Sequence, residues 1–198
     1  MGVIGDRWAV LVVRELTFGP RRFAQLRAGL HGISPNVLSQ RLRDLEESGV
    51  VQRVEHVSFG VTLYDLTGRG RALEPVLIEL GRWGARERIT SRNDLSFGAL
   101  LFAYKTVFDP SRASDGTYGI RVSGDAASVT IEGGRIHVRR GVDNAADVVL
   151  DTDITTLRGI SFGRESITSA VRANRLRVTG DRHLATAFTR MVPVHLPV

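Results

Sequence analysis

A chain of 198 residues, 42% hydrophobic and 24% charged, has room for one large or two small globular domains and is too ordinary in composition to be disordered or collagen-like. It contains no cysteine, which excludes disulfides, thiol chemistry and cysteine-ligated zinc. Twenty-seven basic against 21 acidic side chains leave a net charge of +6, a balance that favours an anionic partner without choosing between nucleic acid and a membrane surface.

The first half reads as mostly helical. Asp6–Thr17 carries Trp8, Leu11, Val12 and Leu16 and suits a buried helix, ended by Phe18-Gly19-Pro20. Phe23, Leu26 and Leu30 give Arg22–Leu30 one apolar face. Ser34-Pro35 is a strong helix start, because serine caps the first turn and proline at the first helical position forfeits no bond. Leu38, Leu42 and Leu45 then mark one stripe, and Gly49 closes the helix. Val50–Val57 and Val61–Leu66 read as two strands around Ser58-Phe59-Gly60, and a last helix is expected from Thr67 to Arg88, kinked at Pro75.

The polar stretch Ala85–Asp94 is the expected boundary, dividing the chain into domains at 1–90 and 94–198. Beyond it, Asn93 or Asp94 is expected to cap an apolar helix ending at Phe108. Alternating segments at Gly116–Val122, Ala127–Glu132, Arg135–Arg139 and Val148–Asp151 read as strands. Helices at Thr152–Phe162 and Glu165–Ala173, a strand at Leu176–Thr179 and a helix at Asp181–Met191 complete an α+β chain.

Helix, short helix, turn, Ser-Pro helix, hairpin, helix is the order of a winged helix-turn-helix. Opposite the leucine stripe lie Asn36, Gln40, Arg43 and Glu47, with Ser39 at the edge. Recognition helices read bases through their first turns, and Asn and Gln suit adenine, Arg suits guanine and Ser suits either. Asn36, Ser39, Gln40 and Arg43 are therefore the candidates for base contacts. Arg21, Arg22, Ser34 and Arg41, with His56 and Ser58 of the wing, are candidates for the phosphates. Pro20–Arg43 holds five arginines and no acid. The same polar face on its own also describes an ordinary surface helix, in which Arg43 pairs with Glu46 or Glu47.

The residues Gly5-Asp6-Arg7-Trp8, Gly19-Pro20-Arg21-Arg22-Phe23, Ile33-Ser34-Pro35-Asn36-Val37-Leu38-Ser39-Gln40-Arg41-Leu42-Arg43-Asp44-Leu45-Glu46 and Tyr64-Asp65-Leu66-Thr67 resemble the HxlR-type transcriptional regulators over about residues 3–88. The resemblance implies a homodimer on double-stranded DNA, with the helices at 6–17 and 71–88 contributing to the dimer; a cytoplasmic location is expected because no secretory signal is visible. Two departures stand out. The wing tip is apolar where family wings are often basic, and the cysteine through which some members sense oxidants is missing.

The second half resembles the sterol carrier protein fold at Ala146-Asp147-Val148-Val149-Leu150, Gly159–Gly163, Ala173–Asp181 and Leu184–Phe188. That resemblance implies a five-stranded sheet covered by helices around an apolar tunnel, and hence a hydrophobic small-molecule effector. Phe102, Leu157, Phe162, Phe188 and Val192 are the candidate lining residues, and each suits an ordinary core equally well. A lipid carrier whose winged helix serves protein contacts is the alternative reading. The five histidines lack metal-ligand spacing and no catalytic constellation is present, so neither a metal, nor a cofactor, nor an enzyme is expected. No apolar run approaches the roughly 18 residues of a membrane-spanning helix.

Overall fold

The computed structural model describes residues 5–56, 60–84 and 95–191, and their fold is α+β. They divide into two compact units. One runs up to Gly81 and includes the segment that ends at Ala99; the other holds Arg82–Gly84 and continues from Leu100.

The first unit opens with α1 (Arg7–Leu16), capped by Asp6, whose carboxylate accepts from the Trp8 and Ala9 amides at 2.8 and 3.2 Å. Then come α2 (Phe23–Gly29), α3 (Pro35–Glu47) and the antiparallel wing strands β1 (Val51–His56) and β2 (Val61–Leu66). Leu38, Leu42 and Leu45 of α3 are buried together with Val12, Leu16 and Leu26. The buried stripe therefore sets which face of α3 looks outward.

The long helix expected from Thr67 to Arg88 is instead two helices, α4 (Gly68–Arg71) and α5 (Glu74–Gly84). Pro75 does not kink a helix; it sits in the first turn of α5, where its missing N–H forfeits no bond. Thr67 ties this corner to the wing. Its hydroxyl donates to the Gly49 carbonyl at 2.6 Å and caps the Gly70 amide at 3.1 Å. Gly70 must be glycine, since a Cβ there would stand 2.2 Å from the Val50 carbonyl oxygen. Glu15 is buried at 1% exposure and accepts from the Ser96 hydroxyl at 2.7 Å. That hydroxyl also accepts from the Ala99 amide at 3.1 Å, so Ser96 caps the next helix. Asn93 and Asp94, the expected caps, lie outside the described residues.

That helix is α6 (Phe97–Val107). A short 3-10 turn at Pro110–Arg112 leads to β3 (Gly116–Val122), β4 (Asp125–Glu132), β5 (Arg135–Arg140) and β6 (Val148–Thr152). After them come α7 (Ile154–Ser161), α8 (Ile167–Arg172), β7 (Leu176–Gly180) and α9 (Arg182–Met191). The sheet order is β5-β4-β3-β6-β7, with β3 and β6 parallel and the other pairs antiparallel. Its core centres on Phe188, whose ring lies 5.2 Å from Tyr104, edge-on, and 5.4 Å from Tyr118. Gly180, at φ +92°, lets β7 pass close to β6: a Cβ there would lie 2.2 Å from the Asp147 carbonyl oxygen. No described helix is long and apolar enough to cross a membrane.

Candidate nucleic-acid interface

The outward side of α3 is where the leucine stripe leaves it. Ser34 caps the helix by accepting from the Val37 amide at 3.3 Å, and Asn36, Gln40, Arg43 and Glu47 are exposed while Ser39 is half-buried. The sequence-predicted base-contacting residues thus share one solvent-facing side. Arg43 donates to the Ser39 carbonyl at 3.4 Å and makes no ion pair among the described residues, so it pairs with neither Glu46 nor Glu47. Gln40 donates to Asp44 at 2.8 Å. A bidentate adenine contact needs the carbonyl oxygen and one of the two amide N–H groups, so the bond to Asp44 leaves the second N–H for a base.

The phosphate candidates separate. Arg22 and Arg27 are exposed. Arg21 is 8% exposed, and its N–H and C=O bond reciprocally to Tyr64 at 2.8 Å, which draws it against β2. Arg21, expected among the phosphate contacts, is thus buried and precedes α2, unlike its exposed neighbour Arg22. Arg41 is also engaged, with Asp44 at 2.9 Å and with Asp6 at 3.8 Å, and ties α3 to the cap of α1. Ser58 and the side chain of His56 lie outside the described residues.

Two residues escaped the sequence reading. Arg53 of β1 is exposed, pairs with Glu46 of α3 at 2.9 Å and lies 5.6 Å from the Tyr64 ring. Strand alternation sets Arg53 on the same side of β1 as buried Val51, so the period gave no signal of its exposure. Val37 keeps 37% exposure in the first turn of α3, where an apolar side chain can meet a thymine methyl. It lies one position off the leucine stripe, which was the available signal.

The second unit offers two clefts beside α8. One, of about 370 Å³, is walled by α7, the loop after it and α9; the other, of about 550 Å³, by α8, β7 and α9. Of the predicted lining residues only Phe162 reaches a cleft. Phe102, Leu157 and Phe188 are buried at 6%, 1% and 1% exposure and fill the core instead. Val192 lies outside the described residues. Close by, the Ser161 hydroxyl donates to the Leu157 carbonyl at 2.8 Å, so in its 2.6 Å contact with Tyr104 the tyrosine is the donor. Burial pushes the Tyr104 phenol well above its ordinary value.

Comparison with known proteins agrees with this geometry. Residues 3–91 match the HxlR-like helix-turn-helix family, and the HTH-type transcriptional regulator YvaP of Bacillus subtilis is 40% identical over 82 residues, covering 41% of this chain and 76% of YvaP. This chain belongs to the HxlR-like helix-turn-helix family. Another relative, the HTH-type regulator Rv3095 of Mycobacterium tuberculosis, is 43% identical over 83 residues, covering 41% of this chain and about half (52%) of Rv3095. Among solved structures, the reduced form of the transcriptional regulator YodB from B. subtilis is 31% identical, covers 44% of this chain and 86% of its own, and has a TM-score of 0.40. Beyond the HxlR-like part, which ends at residue 91, residues 108–193 match the SCP-2 sterol transfer family.

Proposed function

We propose that the protein is a homodimeric, cytoplasmic DNA-binding transcriptional regulator whose second unit binds a lipophilic small molecule that alters operator affinity. The observation that carries the reading is the exposed set Asn36, Gln40 and Arg43 on the first turns of a capped helix whose other face is buried. Those turns are the part of a recognition helix that enters the major groove. Exposed Arg22 and Arg27, and Val37 for a thymine methyl, suit the same surface.

The exposed stripe Val76, Leu80 and Trp83 on α5, at 57%, 49% and 69% exposure, supports the dimer. These residues recur at i, i+4 and i+7 and so share one face of the helix. A twofold dimer sets the two α3 helices about 34 Å apart on successive major grooves and demands a pseudo-palindromic site. The same stripe also suits the alternative, a lipid carrier that docks another protein through its winged helix.

A mobility-shift titration on the duplex upstream of its own gene separates the two readings. A regulator binds it with a logarithm of affinity that falls linearly with the logarithm of salt. Absence of any duplex binding at low salt sinks the proposal. The effector part is tested separately: operator affinity unchanged by saturating lipophile removes the coupling even where the lipophile binds.

A further inference from the structure

Gln40 of α3 is tied to Asp44, one turn further on. Its side-chain amide donates to Asp44 Oδ1 at 2.8 Å, a bond strengthened by the carboxylate charge. An ionised carboxylate only accepts, so the end of the amide that faces it is the NH2 group, and the carbonyl oxygen is turned away. The other oxygen of Asp44, Oδ2, lies 2.9 Å from Arg41 Nη1. Arg41 in turn stands 3.8 Å from Asp6, whose carboxylate caps α1. A relay of four side chains thus leads from the start of α1 to the outer face of α3. Asp44 and Arg41 are half-buried along it, and Gln40 is exposed at its end.

An untethered glutamine amide turns over and offers its two ends in either order. Here the order is set. The carbonyl oxygen and the second N–H remain available, one acceptor beside one donor. Adenine presents the complementary pair in the major groove, a donor at N6 and an acceptor at N7, whereas guanine presents acceptors at both O6 and N7. Turning the amide over would aim its oxygen at the Asp44 carboxylate, acceptor against acceptor.

We propose that Asp44 is a positioning residue for base recognition: it holds the Gln40 amide in the one orientation that selects adenine over guanine, and Arg41 holds Asp44. The inference rests on the reading of α3 as the helix that enters the major groove, and deepens it by naming a base and the residue that sets the choice. A Gln–Asp pair that merely stabilised the helix surface would leave base choice untouched.

The test is selection of duplexes from a randomised pool by the full chain, followed by titrations on the selected site and its single-base variants. Comparing the parent with Gln40→Ala identifies the base pair that Gln40 reads. There the parent prefers adenine to guanine by about tenfold or more, and Gln40→Ala loses the preference. Asp44→Ala lowers the same preference by about threefold or more and leaves the other positions of the site unchanged. The double variant Gln40→Ala, Asp44→Ala behaves at that pair like Gln40→Ala alone, because Asp44 acts only through Gln40. Glu47→Ala, which removes an equal charge from an exposed position on the same helix, keeps the parental preference. Asp44→Leu, which also lacks an acceptor, runs in parallel, and circular dichroism melts show which variants are folded. Parental preference in a folded Asp44 variant overturns the positioning and leaves the major-groove reading standing. So does a loss of equal size at every position, a loss of equal size in Glu47→Ala, or guanine as the base preferred at the Gln40 position. Gln40→Ala that alters no position removes Gln40 from the bases and this inference with it. A parent that selects no duplex removes the DNA-binding reading as well.

Discussion

The two candidate surfaces are built in opposite ways. In the first unit one helix carries the whole base-reading set: the cap at Ser34, the buried leucines and the exposed Asn36, Gln40 and Arg43 all lie within 14 residues. In the second unit the two clefts are assembled from α7, α8, β7 and α9, with lining residues drawn from all four. A surface on one helix is specified by a 3.6-residue period, and a change in one side chain alters one contact. An assembled groove depends on the core beneath it, so its function can be lost through residues that line nothing.

Phe188→Ala tests that contrast at its strongest. The ring is 1% exposed and packs between Tyr104 and Tyr118. Truncation should cost about 3–5 kcal/mol in urea unfolding and abolish binding of a lipophilic probe. Yet Phe188 lines neither cleft. A variant that unfolds with the parent midpoint and still binds the probe would show that the clefts do not depend on the core beneath them.

Arg43→Ala is the counterpart on the helical surface. It should weaken operator binding by about 1–3 kcal/mol and relax preference at one base pair per half-site, with little change in stability because the side chain is exposed. Equal weakening on every sequence in a binding selection would make Arg43 a phosphate contact.

The same contrast explains what could be read from the residues. The leucine period placed α3 and its outer face, and the Ser-Pro start placed its cap, because both signals are local. The number of strands in the sheet followed from the resemblance at Ala146–Leu150 and Ala173–Asp181, but their order, with β3 and β6 parallel at the centre, did not, because pairing joins segments far apart in sequence. Phe102, Leu157 and Phe188 were indistinguishable from ligand-lining residues, since core and pocket use the same apolar types. Arg21 looked like a surface cation because the strand that buries it, at Tyr64, lies far along the chain. Pro75 looked like a kink because its role turns on where a helix begins, and the break at Ala72-Leu73 has no local marker.

A smaller effect probes the core by pH. Tyr118 is fully buried and donates to the Ser114 carbonyl at 2.9 Å. Burial, reinforced by the Asp147, Asp115 and Asp181 carboxylates, pushes its phenol up to about 12 from an ordinary value near 10. The folded chain therefore keeps a proton that the unfolded chain releases. The stabilising contribution is complete below about pH 10 and is lost as pH rises toward 12. Tyr118→Phe should cost about 1 kcal/mol at neutral pH, and the gap to the parent should close across that alkaline window. A gap that stays constant from pH 7 to pH 12 would mean that Tyr118 titrates alike in both states.

The adjacent pair Arg21 and Arg22 gives the finest discrimination, since the two residues have the same chemistry and differ only in surroundings. Arg22 is exposed, and its amide donates to the Gln25 side chain at 2.9 Å through a backbone group that alanine retains. Arg22→Ala should leave the unfolding midpoint unchanged. If the residue neutralises a phosphate, the slope of log affinity against log salt should fall by about 1 per subunit, with no change in sequence preference. Arg21→Ala should do the reverse. It is 8% exposed, so truncation should lower the urea midpoint while the salt slope, read on the remaining folded protein, stays that of the parent. A reduced salt slope for Arg21→Ala at parental stability would place its guanidinium on the duplex, and would mean that the bridge to Tyr64 opens when DNA binds.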